Sequence, residues 1–387
     1  MSAFHMDLLM QDMAIKGWRV WCKYLTFHTP YIPSVSPTIM GLFLSVPLLA
    51  TSVTRSYTII IPLHNKADMI RPALLSAINQ SKKPREILVV DDKSIDDSLS
   101  MIEDLKDHYT LIRNEENIGK AKSINKALEK VKTPYVLVLD ADTILKEDFA
   151  EKVMRGFTSK EIVGTTGVVL PTSIKTRTEK ARLIEYLLGS SHKKTQVKIG
   201  GMWTLAGCSM MWKTDKLKEM EGIPEESIVE DMEASWKAQS MGDENGKAYS
   251  LSYVSTAIAY TDEPKTFDSY VKQIDRWFSI RGVIKRNINK IKKRLWITLG
   301  WSLLEAMLPL VFIALVAYLL LGRADFISAG ILLAVDALSL LVLSLHLGKK
   351  YNYGVKIVAS SVVWFWMYRF INTGKFWQRL LFPKKEW

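Results

Sequence analysis

A short apolar segment that ends in two carboxylates constrains the fold of this chain most. Residues Tyr135–Leu139 have the length and composition of a strand that is buried on both faces of a sheet, and Asp140 and Asp142 follow directly. Ligands of open α/β sheets bind beyond the carboxyl ends of the strands, where residues two apart project to the same side. Both carboxylates can therefore converge on one divalent cation, Mg²⁺ or Mn²⁺. Capping of a following helix explains the pair equally well at this point.

Strands and helices alternate around this segment. The apolar patterning predicts strands over 57–62, 86–90 and 109–113, and helices over 69–80, 98–108 and 120–130. Such alternation is typical of a mostly parallel sheet with helices on both faces, and it continues to about residue 264. The sequence therefore predicts an α/β domain over 55–264.

The apolar residues that remain lie mainly near the two ends of the chain. Blocks at 295–321, 326–347 and 355–371 are each long enough to cross a bilayer, and 37–53 is a shorter candidate that Pro47 interrupts. Tryptophans among basic residues over 13–25 suit a helix in the membrane interface, and no signal peptide is evident. We therefore expect four regions: an N-terminal anchor (1–54), the α/β domain, an amphipathic interface region (265–294) and about three C-terminal membrane helices with a basic tail (295–387).

The charge distribution indicates how the chain is placed relative to a membrane. The formal net charge is +12, from 52 Lys and Arg against 40 Asp and Glu, and many of the bases lie beside the apolar blocks. This placement disfavours nucleic acid as a partner, and the positive-inside rule puts 55–294 in the cytoplasm of a multi-pass protein of the cell membrane. Bases beyond residue 371 contradict a simple three-span count. The two cysteines, Cys22 and Cys208, form no disulfide framework and no zinc motif.

Four short motifs then occur in a recognisable order. They are Asp91-Asp92, Asp140-Ala141-Asp142, Glu230-Asp231, and Gln273-Ile274-Asp275-Arg276-Trp277. This order over about 57–282 resembles the family 2 glycosyltransferases, in particular the membrane-embedded processive branch with poly-N-acetylglucosamine, chitin, hyaluronan and cellulose synthases. The resemblance implies a GT-A domain (a nucleotide-diphospho-sugar transferase fold) with a mixed, mostly parallel sheet.

The resemblance also implies a role for each matched residue on the donor side. Asp142, with Asp140, would hold the metal, and Asp140 would face the nucleotide. Pro62 and His64 would contact the nucleoside. Asp91 and Asp92 would contact the uracil base, and Lys120 would contact the diphosphate.

On the acceptor side, the resemblance makes Asp231 the catalytic base and Glu230 its support. Gly207 and Cys208 would cradle the acceptor, while Gln273, Arg276 and Trp277 would close over the diphosphate and line the acceptor site. The chemistry favours these residue types independently. A cation with Arg276 and Lys120 stabilises a departing diphosphate, and a carboxylate accepts the proton of the attacking hydroxyl.

The expected function is transfer of a sugar from a UDP-sugar to a growing polysaccharide, with inversion and with possible export through the membrane helices. The segment 230–237 looks most like poly-N-acetylglucosamine and chitin synthases, so N-acetylglucosamine is the best guess. Transfer of one sugar to a polyprenyl phosphate or other lipid is an alternative, and a non-catalytic membrane assembly subunit is another. Glu305 and Asp336 lie within predicted spans, where acids serve a pathway or pair with bases; we hypothesise that both line a glycan conduit.

Overall fold

The structure is a computed structural model, and it describes residues 55–290, 293–322 and 325–382. The predicted interface helix at 13–25 and the predicted span at 37–53 lie outside the described residues. The described residues belong to one compact unit.

Eight strands form one sheet. They are β1 (Tyr57–Leu63), β2 (Glu86–Asp91), β3 (Thr110–Arg113), β4 (Tyr135–Leu139), β5 (Thr143–Leu145), β6 (Ile162–Pro171), β7 (Ser209–Lys213) and β8 (Ser250–Thr261). Their spatial order is β3-β2-β1-β4-β7-β6-β8-β5. The first four are mutually parallel, β7 runs antiparallel to both neighbours, and β8 is parallel to β6 but antiparallel to β5. The predicted mixed, mostly parallel sheet is confirmed.

Eleven α-helices are described around this sheet. They are α1 (Ile70–Ile78), α2 (Lys120–Lys130), α3 (Phe149–Met154), α4 (Arg177–Ile199), α5 (Thr214–Glu219), α6 (Glu230–Ser240), α7 (Phe267–Trp277), α8 (Arg281–Asn287), α9 (Lys293–Ala317), α10 (Phe326–Lys350) and α11 (Val355–Leu381). A 3₁₀ helix spans Ser100–His108, and a π-helical turn, Tyr318–Gly322, extends α9.

The central strands are buried because helices cover both faces of the sheet. Successive residues of β1 alternate between two apolar clusters: Ile60 packs with Ile124 of α2, whereas Ile59 and Ile61 pack with Leu74 of α1. This alternation is the period-two geometry of a strand. It explains why the sequence of β1 is apolar throughout rather than alternating.

The predicted interface region contains two helices, α7 and α8. A capping box of Thr266 and Ser269 starts α7, which ends at Trp277. The chain then re-forms a helix at Arg281, so that Ile280 and Val283 reach an apolar cluster with Trp236 of α6. Burial of these side chains outweighs continuation of a single helix.

Only α9, with its π-helical turn, and α10 are long and apolar enough to cross a membrane among the described residues. The third predicted span differs: Val355–Leu381 packs along the α/β domain. Val358 and Val362 contact the apolar face of α4 around Leu187, and Arg379 forms a buried ion pair with Asp275 of α7. Two of the C-terminal bases that contradicted a three-span count, Lys375 and Arg379, therefore belong to a helix docked on the domain.

Candidate active site

A cavity of about 830 Å³ opens at the carboxyl ends of β1 and β4. Its other walls come from α4, the loop before β7, the start of α6, α7, and parts of α9 and α11. All but one of the site residues predicted from sequence line it: Pro62, His64, Asp92, Lys120, Asp140, Asp142, Gly207, Cys208, Glu230, Asp231, Gln273, Arg276 and Trp277.

The exception is Asp91, which is buried at the end of β2 outside the cavity lining. Its Oδ1 accepts a hydrogen bond from the Ser94 N–H at 3.0 Å, and its Oδ2 lies 3.6 Å from Arg113 Nε. Adjacent residues at a strand end project to opposite sides, so Asp92 reaches the cavity and Asp91 does not. The expectation that Asp91 contacts the nucleotide base is corrected accordingly.

Asp92 organises the loop that precedes α2. Its carboxylate accepts hydrogen bonds from the backbone N–H groups of Ile118 (2.9 Å) and Gly119 (2.8 Å) and from Asn114 Nδ2 (2.9 Å). Gly119 has φ +89°, a conformation that favours glycine, and it caps α2. The predicted base-reading residue thus also fixes the loop that presents Lys120 at the first position of α2.

His64 connects the ends of β1 and β2. Its Nδ1 lies 2.8 Å from the carbonyl oxygen of Asp92, and its Nε2 lies 3.1 Å from the side-chain amides of both Asn65 and Asn117. Amides donate to Nε2, so this arrangement suits the tautomer in which Nδ1–H donates to the carbonyl. His64 therefore holds two loops of the cavity rim together.

Lys120 joins the two acidic motifs. Its Nζ lies 2.7 Å from Asp140 Oδ1 and 3.2 Å from Glu230 Oε1. Burial alone would lower the pKa of Lys120, but these two carboxylates raise it above its usual value. Lys120 is therefore a permanent cation at the centre of the cavity, where it suits a diphosphate.

Asp140 and Asp142 suit a divalent cation. Burial raises the pKa of Asp140 to about 6, Lys120 opposes the shift, and the nearby charge of Asp142 adds to it. Asp140 Oδ1 is paired with Lys120 Nζ at 2.7 Å, and Asp142 Oδ2 is paired with Lys66 Nζ at 2.6 Å. The described residues contain no group of three or more His, Cys, Asp or Glu side chains that could hold a metal unaided. A cation here would complete its oxygen shell with donor phosphates.

Asp231 lies across the cavity, beside a glycine. Its Oδ1 accepts a hydrogen bond from its neighbour Met232 N–H at 2.8 Å, and its Oδ2 accepts one from Gly207 N–H at 3.1 Å. A Cβ at position 207 would lie 2.8 Å from Oδ2, so only glycine fits there. Burial, and then the charge of Glu230, raise the pKa of Asp231, a shift that makes a carboxylate a better base near neutral pH.

The motif on α7 is fixed from behind by Arg182 of α4. The guanidinium donates to Gln273 Oε1 and lies 4.2 Å from the centre of the Trp277 ring. Arg276 is exposed on the cavity wall, where a fork of donors suits diphosphate oxygens.

Comparison with known proteins identifies the α/β domain. Residues 58–220 match the family described as Glycosyl transferase family 2. The chain contains a family 2 glycosyltransferase domain. The match ends before the Glu230-Asp231 and Gln273–Trp277 motifs. The assignment of these two motifs to the site therefore depends on their position in the cavity.

The curated relatives of this glycosyltransferase domain include poly-beta-1,6-N-acetyl-D-glucosamine synthases. The protein of Staphylococcus aureus strain MSSA476 is 26% identical over 225 residues, which cover 57% of this chain and 53% of that protein. The protein of Staphylococcus epidermidis strain ATCC 35984 is 26% identical over 219 residues, 55% of this chain and 52% of that protein. The chain thus spans about half the length of the curated relatives it matches.

A solved structure confirms the fold of the glycosyltransferase domain. Mannosyltransferase PcManGT from Pyrobaculum calidifontis, in complex with GDP-Man and Mn²⁺, superposes with a TM-score of 0.55 at 18% identity. The match covers 97% of this chain and 98% of that one. The predicted GT-A fold is confirmed, together with a helical C-terminal region.

Several residues that line the cavity were not predicted from the sequence. Lys66 follows β1 at the same sheet edge as Asp92, so the strand-end argument could have found it. Lys193 and Glu263 also line the cavity, on α4 and just after β8. Burial lowers the pKa of Lys193 and raises that of Glu263 to about 7, an effect that Arg182 opposes. No local pattern marks either residue, because tertiary packing brings them to the cavity.

The two acids of the predicted spans have different surroundings. Glu305 of α9 lines the cavity, 2.7 Å from Trp301 Nε1 and 3.3 Å from His192 Nε2. Asp336 of α10 lies outside the cavity lining and pairs with Arg369 of α11. The conduit hypothesis therefore stays with Glu305, and Asp336 takes the pairing role.

Proposed function

We propose that this protein is a membrane-bound inverting glycosyltransferase that transfers a sugar from a nucleotide diphosphate donor to a hydroxyl acceptor. One observation carries the proposal: a single cavity joins the Asp140–Asp142 pair, Lys120, the Asp231 carboxylate and the Gln273–Trp277 motif. A shared cavity supplies metal ligands, a diphosphate cation, a base and an acceptor surface within reach of one substrate.

The donor end of the cavity supports binding of a nucleotide diphosphate. Asp140 and Asp142 would hold Mg²⁺ or Mn²⁺, which neutralises charge on the departing diphosphate. Lys120 and Arg276 lie on the same cavity and would contact that diphosphate, with Lys120 released from its carboxylate partners. Fixed cations aimed at developing negative charge are usually the largest contribution to such a reaction.

The acceptor end supports direct displacement with a single base. Asp231 would take the proton of the acceptor hydroxyl as its oxygen attacks the anomeric carbon and the bond to the diphosphate breaks. One base on the face opposite the leaving group gives inversion. Trp277 would offer a flat apolar surface to the C–H face of the acceptor ring.

For the donor we propose UDP-N-acetylglucosamine, and for the product a growing polysaccharide. The names of the curated relatives and the similarity of 230–237 to their motif support this choice. Mannose from GDP-mannose is the competing donor, because the solved relative that covers nearly the whole chain carries GDP-Man.

A lipid-linked acceptor is the second candidate. Ser302 and Ala306 of α9 and Phe376 of α11 line the cavity, so its wall includes a helix apolar enough for a membrane. This contact favours an acceptor that approaches along the lipid, as either an emerging glycan or a single lipid-borne sugar. We propose a multi-pass protein of the cell membrane with α9 and α10 as spans and the α/β domain in the cytoplasm, where Lys349 and Lys350 are expected.

The test is a donor and product survey. Purified full-length protein is incubated with labelled UDP-N-acetylglucosamine, UDP-glucose or GDP-mannose and with Mn²⁺ or Mg²⁺, and the products are sized. Polymer from UDP-N-acetylglucosamine is the expected outcome. A single lipid-linked sugar selects the second candidate, and GDP-mannose as sole donor overturns the donor assignment. Lack of turnover with every donor, in membranes as well as detergent, supports a non-catalytic assembly subunit instead.

A further inference from the structure

A fully buried arginine lies directly behind the acceptor wall of the cavity. Arg182, in the second turn of α4, has a side-chain exposure of 0% and does not line the cavity itself. Burial of an arginine is costly unless its charge and its donors are satisfied. Three of the side chains that contact Arg182 line the cavity: Glu263, Gln273 and Trp277.

The guanidinium contacts five side chains, three through its nitrogen atoms and two through its faces. Nη1 donates to Glu185 Oε2 at 2.8 Å and Nη2 donates to Gln273 Oε1, whereas Nε forms an ion pair with Glu263 Oε2 at 3.2 Å without the geometry of a hydrogen bond. Its faces contact aromatic rings, 4.5 Å from the centre of Tyr270 and 4.2 Å from that of Trp277. Arg182 therefore contacts both of the α7 side chains that are expected to meet the acceptor, Gln273 and Trp277.

Glu263 extends these contacts to the metal-binding loop. It lies two residues beyond the end of β8, whose Thr261 pairs with Thr143 of β5, immediately after Asp142. The N–H of Asp262 donates to the Asp142 carbonyl oxygen at 3.1 Å. Tyr186 donates its hydroxyl to the other oxygen of Glu263, so that carboxylate is held on both sides. A continuous set of contacts thus runs from the Asp140–Asp142 loop through Glu263 and Arg182 to Gln273 and Trp277.

We propose that Arg182 is a positioning residue that sets the acceptor surface of α7 at a fixed distance from the metal-binding loop. The proposal rests on the proposed function, because Gln273 and Trp277 are taken as acceptor contacts. Arg182 acts through these two side chains and touches neither substrate. Its effect falls on the choice between the acceptor hydroxyl and water as nucleophile, since donor binding uses the other end of the cavity.

Lysine cannot replace this arginine. A guanidinium donates in three directions in one plane while it stacks on aromatic faces, whereas an ammonium is a point charge without a planar face. In Arg182→Lys the charge opposite Glu185 and Glu263 remains, but Gln273 and Trp277 lose their support. A shift of about 1 Å in positioning can cost roughly 100-fold in rate.

The test compares Arg182→Lys with Arg177→Lys. Arg177 lies on the same helix and also stacks on a tryptophan, Trp364, at 4.7 Å, but it does not line the cavity. Sugar transfer and hydrolysis of the same donor are measured together, with the affinity for UDP and Mn²⁺. We expect Arg182→Lys to lower the ratio of transfer to hydrolysis by roughly 10- to 100-fold with donor affinity unchanged. Arg177→Lys should leave the ratio at its original value.

Two further measurements separate positioning from loss of folding. Loss of folded protein lowers transfer and hydrolysis equally, so a merely structural role leaves their ratio unchanged and overturns the proposal. In a Trp277→Leu background, Arg182→Lys should add little to the fall in the ratio, because both act through one surface; a full additional fall overturns it as well.

Backbone hydrogen exchange of α7 is the readout that does not depend on activity. It should accelerate in Arg182→Lys and not in Arg177→Lys. Accelerated exchange in a protein that turns over no donor refutes the proposed function while the structural support by Arg182 stands; unchanged exchange refutes that support.

Discussion

The two ends of the cavity are built in different ways. The donor end consists of side chains that directly follow strands, with His64 after β1, Asp92 after β2 and Asp140 after β4. The acceptor end is assembled from helices and loops that lie far apart in the chain, with Gly207 before β7, Asp231 at the start of α6 and Trp277 at the end of α7.

The charges at the two ends are also balanced differently. At the donor end, Asp142 and Asp140 pair with Lys66 and Lys120, two lysines that are one third to one half exposed. Such pairs exchange readily when a diphosphate and a cation enter. At the acceptor end, Arg182 and Glu263 are buried and hold each other. The side chains of the donor end can therefore rearrange when the ligand binds, whereas those of the acceptor end are preset, that is, already held in place. Substitutions at the donor end should alter the affinity for the donor, and substitutions at the acceptor end should alter turnover.

The largest effect should come from Asp231→Asn, which keeps the shape of the acceptor end but removes its base. General bases contribute about 10²- to 10⁴-fold, so transfer should fall by that range. Binding of UDP with Mn²⁺, measured by calorimetry, should stay within about twofold because no donor contact changes. A variant that keeps more than half of its turnover removes Asp231 from the role of base.

Asp142→Asn should weaken metal-dependent binding at the donor end. Loss of one charged ligand is worth about 3 kcal/mol, which corresponds to roughly 100-fold weaker metal-dependent binding of UDP. Asp148→Asn is the matched control, since Asp148 forms a partly buried pair with Lys152 one helical turn away and does not line the cavity. If the two variants bind UDP and Mn²⁺ equally well, Asp142 is not a metal ligand.

Gly207→Ala tests how closely the acceptor end is preset. The added methyl would lie 2.8 Å from Asp231 Oδ2 and 3.0 Å from its Cβ, so the carboxylate must move. Overpacking costs about 1–3 kcal/mol, and we expect turnover to fall by roughly tenfold or more with donor affinity unchanged. Gly189→Ala is the control, because nothing lies within 4 Å of its added Cβ. Equal turnover of the two variants contradicts a fixed position for Asp231.

The pH dependence of transfer should report the environment of Asp231. Turnover needs the ionised carboxylate, so the rate falls as the pH drops through its pKa. Burial and the charge of Glu230 raise that pKa, whereas Lys120 and Lys193 oppose the shift. The acidic limb should therefore lie above the pH at which an ordinary aspartate titrates. Glu230→Gln removes the like charge and should move this limb to lower pH; a move to higher pH contradicts the assignment of the limb to Asp231.

The sequence was sufficient for the donor end because its geometry is local. An apolar strand followed by an acid places that acid at the carboxyl edge of the sheet, which predicted Asp140 and Asp142. Asp91 and Asp92 were assigned from the family resemblance, which does not resolve which of two adjacent acids faces the ligand. The alternation of side chains at the strand end places Asp92 in the cavity and Asp91 outside its lining.

At the acceptor end, the motifs predicted single residues but not the side chains that hold those residues in place. Gln273 and Trp277 were recognised, but Arg182, which fixes them, lies about ninety positions earlier in an ordinary-looking helix. The third apolar block is a second example, because its composition does not indicate that Val358 and Val362 pack against α4.

The smallest effect should come from Cys208, which lies where the two ends meet. Burial raises the pKa of its thiol to about 12, so the side chain is neutral and poorly reactive at neutral pH. Its backbone is what connects the two ends: the carbonyl oxygen of Cys208 accepts the Asp140 N–H at 3.1 Å, and the preceding Gly207 N–H binds Asp231. Cys208→Ala keeps this backbone, so transfer should stay within about threefold of its original rate, the equivalent of less than 1 kcal/mol. Alkylation of Cys208 at pH 8 should be slow in a Cys22→Ala background. A tenfold loss of transfer in Cys208→Ala shows instead that the thiol itself contacts the acceptor. The Cys208 side chain then belongs to the acceptor end.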